Sequence, residues 1–275
     1  MVRKFRCLIF LFLVLIFVSP LTFSVFANQA KSKRSNRYSF NVIKAQKWLK
    51  TKVYDPEVEL VSETVDLSGS FWLHGDNYLT FEALEDRYPG FAEQIFDKIV
   101  EYGYSGDSWY EIAFNGNLDN YPFRRGVSYV VYEGDGFQIK SWDYSSGEIF
   151  DDFESYADLC MLKSVHSWIS SEYEDAMKFI EKAISLWDGV GFKDGSYTNC
   201  YDTYKIALFL ASCNVIGYDC GELRGIIGET IWSLQGKDGG VWSHYLNIGE
   251  PHPGCQRSVE ATVMCILAYK KPFTA

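Results

Sequence analysis

The run Trp232-Ser-Leu-Gln235-Gly-Lys-Asp238-Gly-Gly240-Val-Trp242 decides the fold. An apolar helix ends in it, a glycine-rich turn carrying an Asp follows, and an aromatic closes it. Glycines permit so tight a turn. A Gln amide can satisfy free carbonyls and free amides at helix ends. Downstream lies the apolar helix Glu260-Ala-Thr-Val-Met-Cys-Ile-Leu-Ala268. The same order occurs earlier: Gly191-Phe-Lys-Asp-Gly-Ser-Tyr197, then the helix Thr203-Tyr-Lys-Ile-Ala-Leu-Phe-Leu-Ala211. A fainter copy is Gly69-Ser-Phe-Trp72, then Asn77-Tyr-Leu-Thr-Phe-Glu-Ala-Leu84. Self-similarity at roughly 40–60 residues indicates stacked helix-hairpin units that bury apolar faces against their neighbours.

Working outward, helical periodicity predicts further helices over 39–52, 90–102, 151–170, 173–187 and 220–235. Pro89 opens one of them, a position where its fixed φ fits. Residues 156–187 alone resemble a tetratricopeptide-like pair, but the Gly-Asp turns elsewhere argue against an array of that kind. Between about 107 and 142 the pattern changes. Val127-Ser-Tyr-Val-Val-Tyr132 and Phe137-Gln-Ile-Lys-Ser-Trp142 alternate as strands do, and Gly134-Asp135-Gly136 between them is turn chemistry. The expectation is a mainly α domain over 38–275, built of about eight helices with a β-hairpin inserted.

The N-terminus has the layout of a secretory signal peptide. Arg3, Lys4 and Arg6 precede an apolar run from Leu8 to Val18, and Val25 and Ala27 suit cleavage after Ala27. The alternative is an uncleaved anchor from Leu8 to Ala27. Both readings export the chain, and contact with a membrane then comes only through that segment. Residues 28–37 read as a polar, basic linker. Removing the three signal cations from 26 Lys and Arg leaves 23 against 36 acids. That surface argues against nucleic acid and leaves neutral ligands, sugars and cations open. Aromatics are 17% of the chain, enough either to fill the interhelical core or to line a cleft that stacks ring-shaped ligands. Six cysteines follow the signal: Cys160, Cys200, Cys213, Cys220, Cys255 and Cys265. An even number permits disulfides in an exported chain. Cys213 and Cys220, flanking a helix–helix turn, are the first choice of pair. Cys160 and Cys265 fall in apolar helices and read as buried hydrophobes.

The Gln235…Gly240…Trp242 motif resembles the repeat of squalene–hopene cyclases and protein prenyltransferases, best over the last ninety or so residues. The resemblance implies an α/α toroid in which the Gln ties a helix end to the next turn, and loops at one end surround a central cavity. More weakly, Trp187-Asp-Gly-Val-Gly-Phe-Lys-Asp194, Tyr204-Lys-Ile-Ala-Leu208 and Trp242-Ser-His-Tyr245 resemble a group of exported archaeal proteins of unknown function. The Asp-x-Asp-Asp acid of the terpene cyclases has no counterpart here, which puts terpenoid chemistry in doubt. Asp151-Asp152-Phe-Glu154 lacks the closing Asp of a magnesium motif and suits a helix N-terminus instead. The Asp, Cys and His of a prenyltransferase zinc site could be assembled only from Asp238, Cys255 and His244 or His252, and no spacing requires it. No cofactor fingerprint, P-loop or nucleophile elbow appears.

On a toroid rim the turns bring together Trp72, His74, Asp76, Asp188, Asp194, Asp238, Trp242, His244, Tyr245 and Glu260. Asp188 and Asp194 are the first candidates for a catalytic acid pair, then Asp76 and His244. Trp72, His74, Asp238, Trp242, Tyr245 and Glu260 are candidates to bind ligand. Each Asp has a plainer explanation as a turn or cap residue. The expected function is ligand binding, of a glycan, peptide or lipid, in an aromatic and acidic cleft. A carbohydrate-active hydrolase or lyase with paired carboxylates is the alternative, and terpenoid-type chemistry a third.

Overall fold

The computed structural model describes residues 38–65, 71–104, 106 and 108–270. The signal and linker segments 1–37 and the glycine of the faint repeat copy lie outside them. In chain order the elements are α1 (Ser39–Lys52), β1 (Tyr54–Asp55), β2 (Leu60–Val61), β3 (Phe71–Leu73), α2 (His74–Leu84), α3 (Pro89–Glu101) and α4 (Glu111–Asn115). Then come β4 (Val127–Gly134), β5 (Phe137–Asp143), a 3₁₀ turn (Phe153–Ser155), α5 (Ala157–Ile169), α6 (Tyr173–Ser185) and β6 (Tyr201–Asp202). The chain continues with α7 (Thr203–Ile216), α8 (Glu222–Ser233), β7 (Val241–Trp242), β8 (His244–Asn247), β9 (Glu250–Pro251), β10 (Arg257–Ser258) and α9 (Val259–Leu267).

Two kinds of helix alternate, and their sequences explain why. In α6 the buried residues are Ala176, Phe179, Ile180 and Ala183, one stripe at helical spacing. In α3 they are Ala92, Ile95 and Ile99. Such helices cover a core on one side and meet water on the other. By contrast α7 buries Ile206, Leu208, Phe209 and Leu210 in nearly unbroken succession, and α9 buries seven consecutive residues after Glu260. Helices apolar all round must be packed all round. Accordingly α2 packs on α9, α9 on α7 and α7 on α5, while α3, α8 and α6 each lie against one member of that series.

A short extended segment leads into three of these inner helices: β3 into α2, β6 into α7 and β10 into α9. These segments are stitched together. Strand β6 pairs with β8, setting Asp202 opposite His244. Strand β10 pairs with β7, setting Arg257 opposite Trp242. The Val259 N–H donates to the Glu63 carbonyl at 2.8 Å. The buried Asn77 side chain accepts from Val61 N and donates to the Val61 and Leu73 carbonyls, locking β2 to the start of α2. The backbone therefore holds the inner helix starts in fixed register.

The expected hairpin is present as β4 and β5, closed by Asp135 and Gly136. What the alternation does not reveal is that β3 adds to it in parallel through Trp72 and Ile139. Strand β3 is only three residues long, too short to carry a periodicity. Directly after α1 the short strands β1 and β2 pair antiparallel, Tyr54 opposite Val61. The acidic run Asp151–Glu154 does not open a long helix but forms turns and the 3₁₀ segment. Tyr156 N closes that segment on the Phe153 carbonyl, and α5 starts after it.

The Gln235 amide donates to the Asn41 and Gly239 carbonyls, both at 2.9 Å, and so ties α1 to the glycine turn. The two glycines of that turn are required by closeness. A Cβ on Gly239 would lie 2.3 Å from the Lys44 carbonyl oxygen, at a φ of +119°. One on Gly240 would lie 2.4 Å from the Trp48 indole. Cys160 and Cys265 are buried in helices. Cys213 and Cys220, the first choice of disulfide pair, are both free thiols; their mutual influence pushes Cys220 down to about 7 and Cys213 up. Among the described residues no helix is long and apolar enough to cross a membrane.

Candidate functional site

The first turns of the four inner helices converge. Asp76 is the third residue of α2, Asp158 the second of α5, Tyr204 the second of α7 and Glu260 the second of α9. Tyr110, just ahead of α4, completes the group. Its hydroxyl donates to Glu260 Oε1 at 3.1 Å, and its ring meets that of Tyr204 edge-on at 6.2 Å. The Tyr204 hydroxyl donates to Asp158 Oδ2 at 2.7 Å. Glu260, Tyr110, Asp158 and Tyr204 keep some solvent contact although protein surrounds each closely enough to perturb its titration strongly. Each is thus mostly enclosed with some solvent contact, and this group of helix-start residues is the candidate cleft.

Electrostatics separates the acids of this region into two sets. Asp194 has a fully buried side chain and receives Lys205 Nζ at 2.7 Å. It also accepts from Ala157 N, capping α5, and from Ser196. Lys205 is 1% exposed and reaches Asp202 at 3.2 Å. Burial opposes its charge, but Asp158, Asp202 and Asp194 outweigh that and raise its pKa. Asp202 in turn binds His244 Nε2 at 3.1 Å. Burial alone would raise the Asp202 carboxyl, yet His244 and Lys205 hold it low, and donating to Asp202 raises His244. This set is fully matched.

Asp76 and Glu260 form the other set. Asp76 is 7% exposed, and among the described residues its Oδ2 has no hydrogen-bond partner. Burial, then the charges of Glu260 and Glu63, push its carboxyl well above the usual range. Glu260 is pushed up to about 7, chiefly by burial, against the opposing hydrogen bond from Tyr110. Two neighbouring carboxyls that both resist ionisation hold a proton near neutrality. The arrangement can donate hydrogen bonds, accept them, or exchange a proton with a bound group.

The sequence candidates distribute unevenly over this geometry. Asp76, Glu260 and His244 lie at the cleft, with Asp194 behind it. Asp188 does not: its Oδ1 accepts from Val190 and Gly191 N–H groups and its Oδ2 from the Tyr201 hydroxyl at 2.6 Å. Burial would raise it, but those bonds prevail and lower it. Asp188 and Asp194 thus serve separate partner sets and do not face one another as an acid pair. Tyr245 is fully buried and donates to the Val190 carbonyl. Trp72 is fully buried against Phe137, and the buried His74 packs edge-on against Tyr104. Asp238 accepts from Arg257 and from the Trp48 indole, while Trp242 lies beneath the Arg257 guanidinium.

Asp238, Cys255 and His244 are not assembled as zinc ligands. Asp238 is held by Arg257, His244 by Asp202, and the Cys255 thiol donates to the His244 carbonyl. Among the described residues no group of three or more His, Cys, Asp or Glu could hold a metal ion. A separate cavity of about 150 Å³, lined by Val65, Trp242, Cys255, Gln256 and Arg257, shares no residue with the acidic cleft.

Sequence reasoning missed Tyr110, Asp158, Tyr204, Lys205, Asp202 and Glu63. One signal could have found two of them. Aligning the repeat copies on their helix starts places Tyr204 and Glu260 at the same position, and Asp158 at its equivalent in α5. Tyr110 and Glu63 come from irregular segments, which carry no such register. Comparison with known proteins gives no match to a family model and no match among curated proteins.

Proposed function

We propose that this is an exported ligand-binding protein of α/α-toroid type, with its binding centre in the cleft formed by Asp76, Glu260, Tyr110 and Tyr204. The observation that carries this is Asp76, a buried carboxyl with an oxygen lacking any hydrogen-bond donor, beside a second raised carboxyl. Buried polar atoms are mostly satisfied; the Ser167 and Ser212 hydroxyls and Asp238 Oδ1 are exceptions too, but Asp76 is the one that is an acid beside a second raised carboxyl, and that combination favours a ligand. The toroid reading draws support from the series α2, α9, α7, α5 with α3, α8 and α6 laid against it. It draws support too from the Gln235 tie between helix and turn. Export rests on the signal-like N-terminus, and glycans, peptides and lipids are the partners that an exported aromatic cleft would meet.

The test is a melting-temperature screen of purified protein against glycan, peptide and lipid sets, with Glu260→Gln run alongside. A ligand that raises the Tm of the parent but not of the variant supports the reading. A blank screen, or a response identical in both proteins, overturns it.

One observation favours a second reading. A carboxyl near 7 beside another acid can act as general acid or base, as in a hydrolase or lyase of polysaccharides. Turnover of any glycan, abolished in Glu260→Gln, would decide for it.

A further inference from the structure

The cleft has an unbalanced charge. Lys205 and the His244 ring are committed to Asp194 and Asp202 at 2.7–3.2 Å. Among the described residues Asp76 and Glu260 have no such cation. The charged neighbours of Asp76 are Glu260 and Glu63. Glu260 is held by a neutral phenol and also faces Asp202, Glu63 and Asp158. His244 feels the Glu260 charge but is bound to Asp202, and Lys140 acts on Glu63.

Concentrated negative charge next to tyrosine rings has a well-defined complement. Carboxylates attract a cation through charge-assisted hydrogen bonds, and ring faces attract it through their quadrupoles. A metal ion would need several ligands at once, and no described group of acids is close enough. An organic cation needs no tight coordination shell, because its charge is spread over a larger head. The free Asp76 Oδ2, more than nine-tenths buried, is an independent sign that a donor belongs there.

We infer that the cleft, taken as the binding centre proposed above, receives an organic ammonium group held by the Asp76 and Glu260 carboxylates and the Tyr110 and Tyr204 rings. The ammonium belongs either to a small amine or to a lysine side chain of a peptide. Binding needs both carboxylates ionised, so near neutrality the Asp76–Glu260 pair releases a proton as the cation enters. Affinity therefore rises with pH. Ionised Glu63, Asp158 and Asp202 favour the cation, and protonated His244 opposes it, which acts in the same direction.

The test is titration calorimetry of the full chain with choline, Nα-acetyl-lysine amide and maltotriose, near pH 6 and near pH 8, in two buffers of different ionisation enthalpy. The expected result is binding of an ammonium probe and not of maltotriose, at least about tenfold tighter at the higher pH. Near pH 6 the heat should depend on the buffer, reporting proton release. Choline against lysine amide separates a small amine from a peptide lysine. Glu260→Gln should weaken binding at least about tenfold and remove most of the proton release. Asp188→Asn, an acid substitution whose carboxylate is held in a turn outside the cleft, should bind within about threefold of the parent, so that a loss in Glu260→Gln is specific to the site. Binding of maltotriose alone, abolished by Glu260→Gln, would keep the cleft as a ligand site and overturn the ammonium assignment. Failure of every probe on protein that melts cooperatively would overturn the assignment too; a blank ligand screen beside it would remove the binding reading itself.

Discussion

Two polar regions sit within a few residues of one another, and they are built on opposite terms. In the glycine-rich turns the acids have been given partners: Asp188 two backbone amides and a phenol, Asp194 Lys205 and a helix N-terminus, and Asp238, through Oδ2 though not Oδ1, Arg257 and an indole. At the helix starts, among the described residues, Asp76 Oδ2 lacks a donor and Glu260 accepts from a phenol alone. The difference teaches where to look. Acids in turns are spent on architecture, whereas the acids left short of partners occupy unremarkable positions in first helical turns.

The strongest way to break this comparison is to remove a partner from the matched set. Lys205→Met leaves Asp194 buried without its counter-ion, and breaking such a pair costs about 3–5 kcal/mol. The expected fall in Tm is on the order of 10 °C, read by thermal melting. Asp194→Ala should do comparable damage and uncap α5 as well. A change under about 1 kcal/mol in both would mean that the pair is not the structural unit its burial implies.

Next is the glycine turn. Gly240→Ala drives a methyl group into the Trp48 indole, and overpacking of this sort costs about 2–3 kcal/mol. Denaturant unfolding should show a lower midpoint at an unchanged slope. Ligand binding, if it resides at the helix starts, should survive wherever the variant is folded.

The third prediction is a pH dependence that sharpens the contrast. Glu260 binds its proton more tightly folded than unfolded, so stability is greatest on the acid side and falls as pH rises from about 4.5 through about 7. The loss is of order 2 kcal/mol, since residual solvent contact softens the full effect. His244, raised by Asp202, contributes with the same sign: its stabilisation is present below its unfolded pKa and fades as pH climbs through the folded one. Urea midpoints between about pH 4.5 and pH 8 measure the slope. In Glu260→Gln most of it should vanish; an unchanged slope would assign it to Asp76 or His244.

Much of the frame was legible in the sequence. The helix periods of α3 and α6, the hairpin turn at Gly134–Gly136 and the Gln235 turn are each written in local pattern, because local sterics and one-sided burial produce them. The cleft was legible only in part. Asp76, His244 and Glu260 could be named, but their convergence depends on β6 pairing with β8 and on Asn77 locking β2 to α2. Those contacts bridge 16 or more positions, and no local period encodes them. Asp188 and Asp194 attracted attention because Asp-Gly turns recur beside aromatics. The feature that makes Asp suit a turn, a short acceptor reaching nearby amides, is the feature that occupies it.

The smallest effect belongs to Asp188, and it is the cleanest discriminator between the two regions. In Asp188→Asn the amide oxygen can still accept from the Val190 and Gly191 N–H groups, so the turn survives. What changes is the bond from the Tyr201 hydroxyl, which loses its charged acceptor and must reverse to accept from the new NH₂. Exchange of a charge-assisted for a neutral hydrogen bond costs about 1 kcal/mol, and the Tm should fall by only about 2–4 °C. Affinity and any turnover should be unchanged, because nothing in the cleft touches this carboxylate. If Asp188→Asn instead abolished binding while leaving the fold intact, the division between partnered turn acids and underpartnered helix-start acids would fail at its simplest point. The functional centre would then have to be sought among the turns.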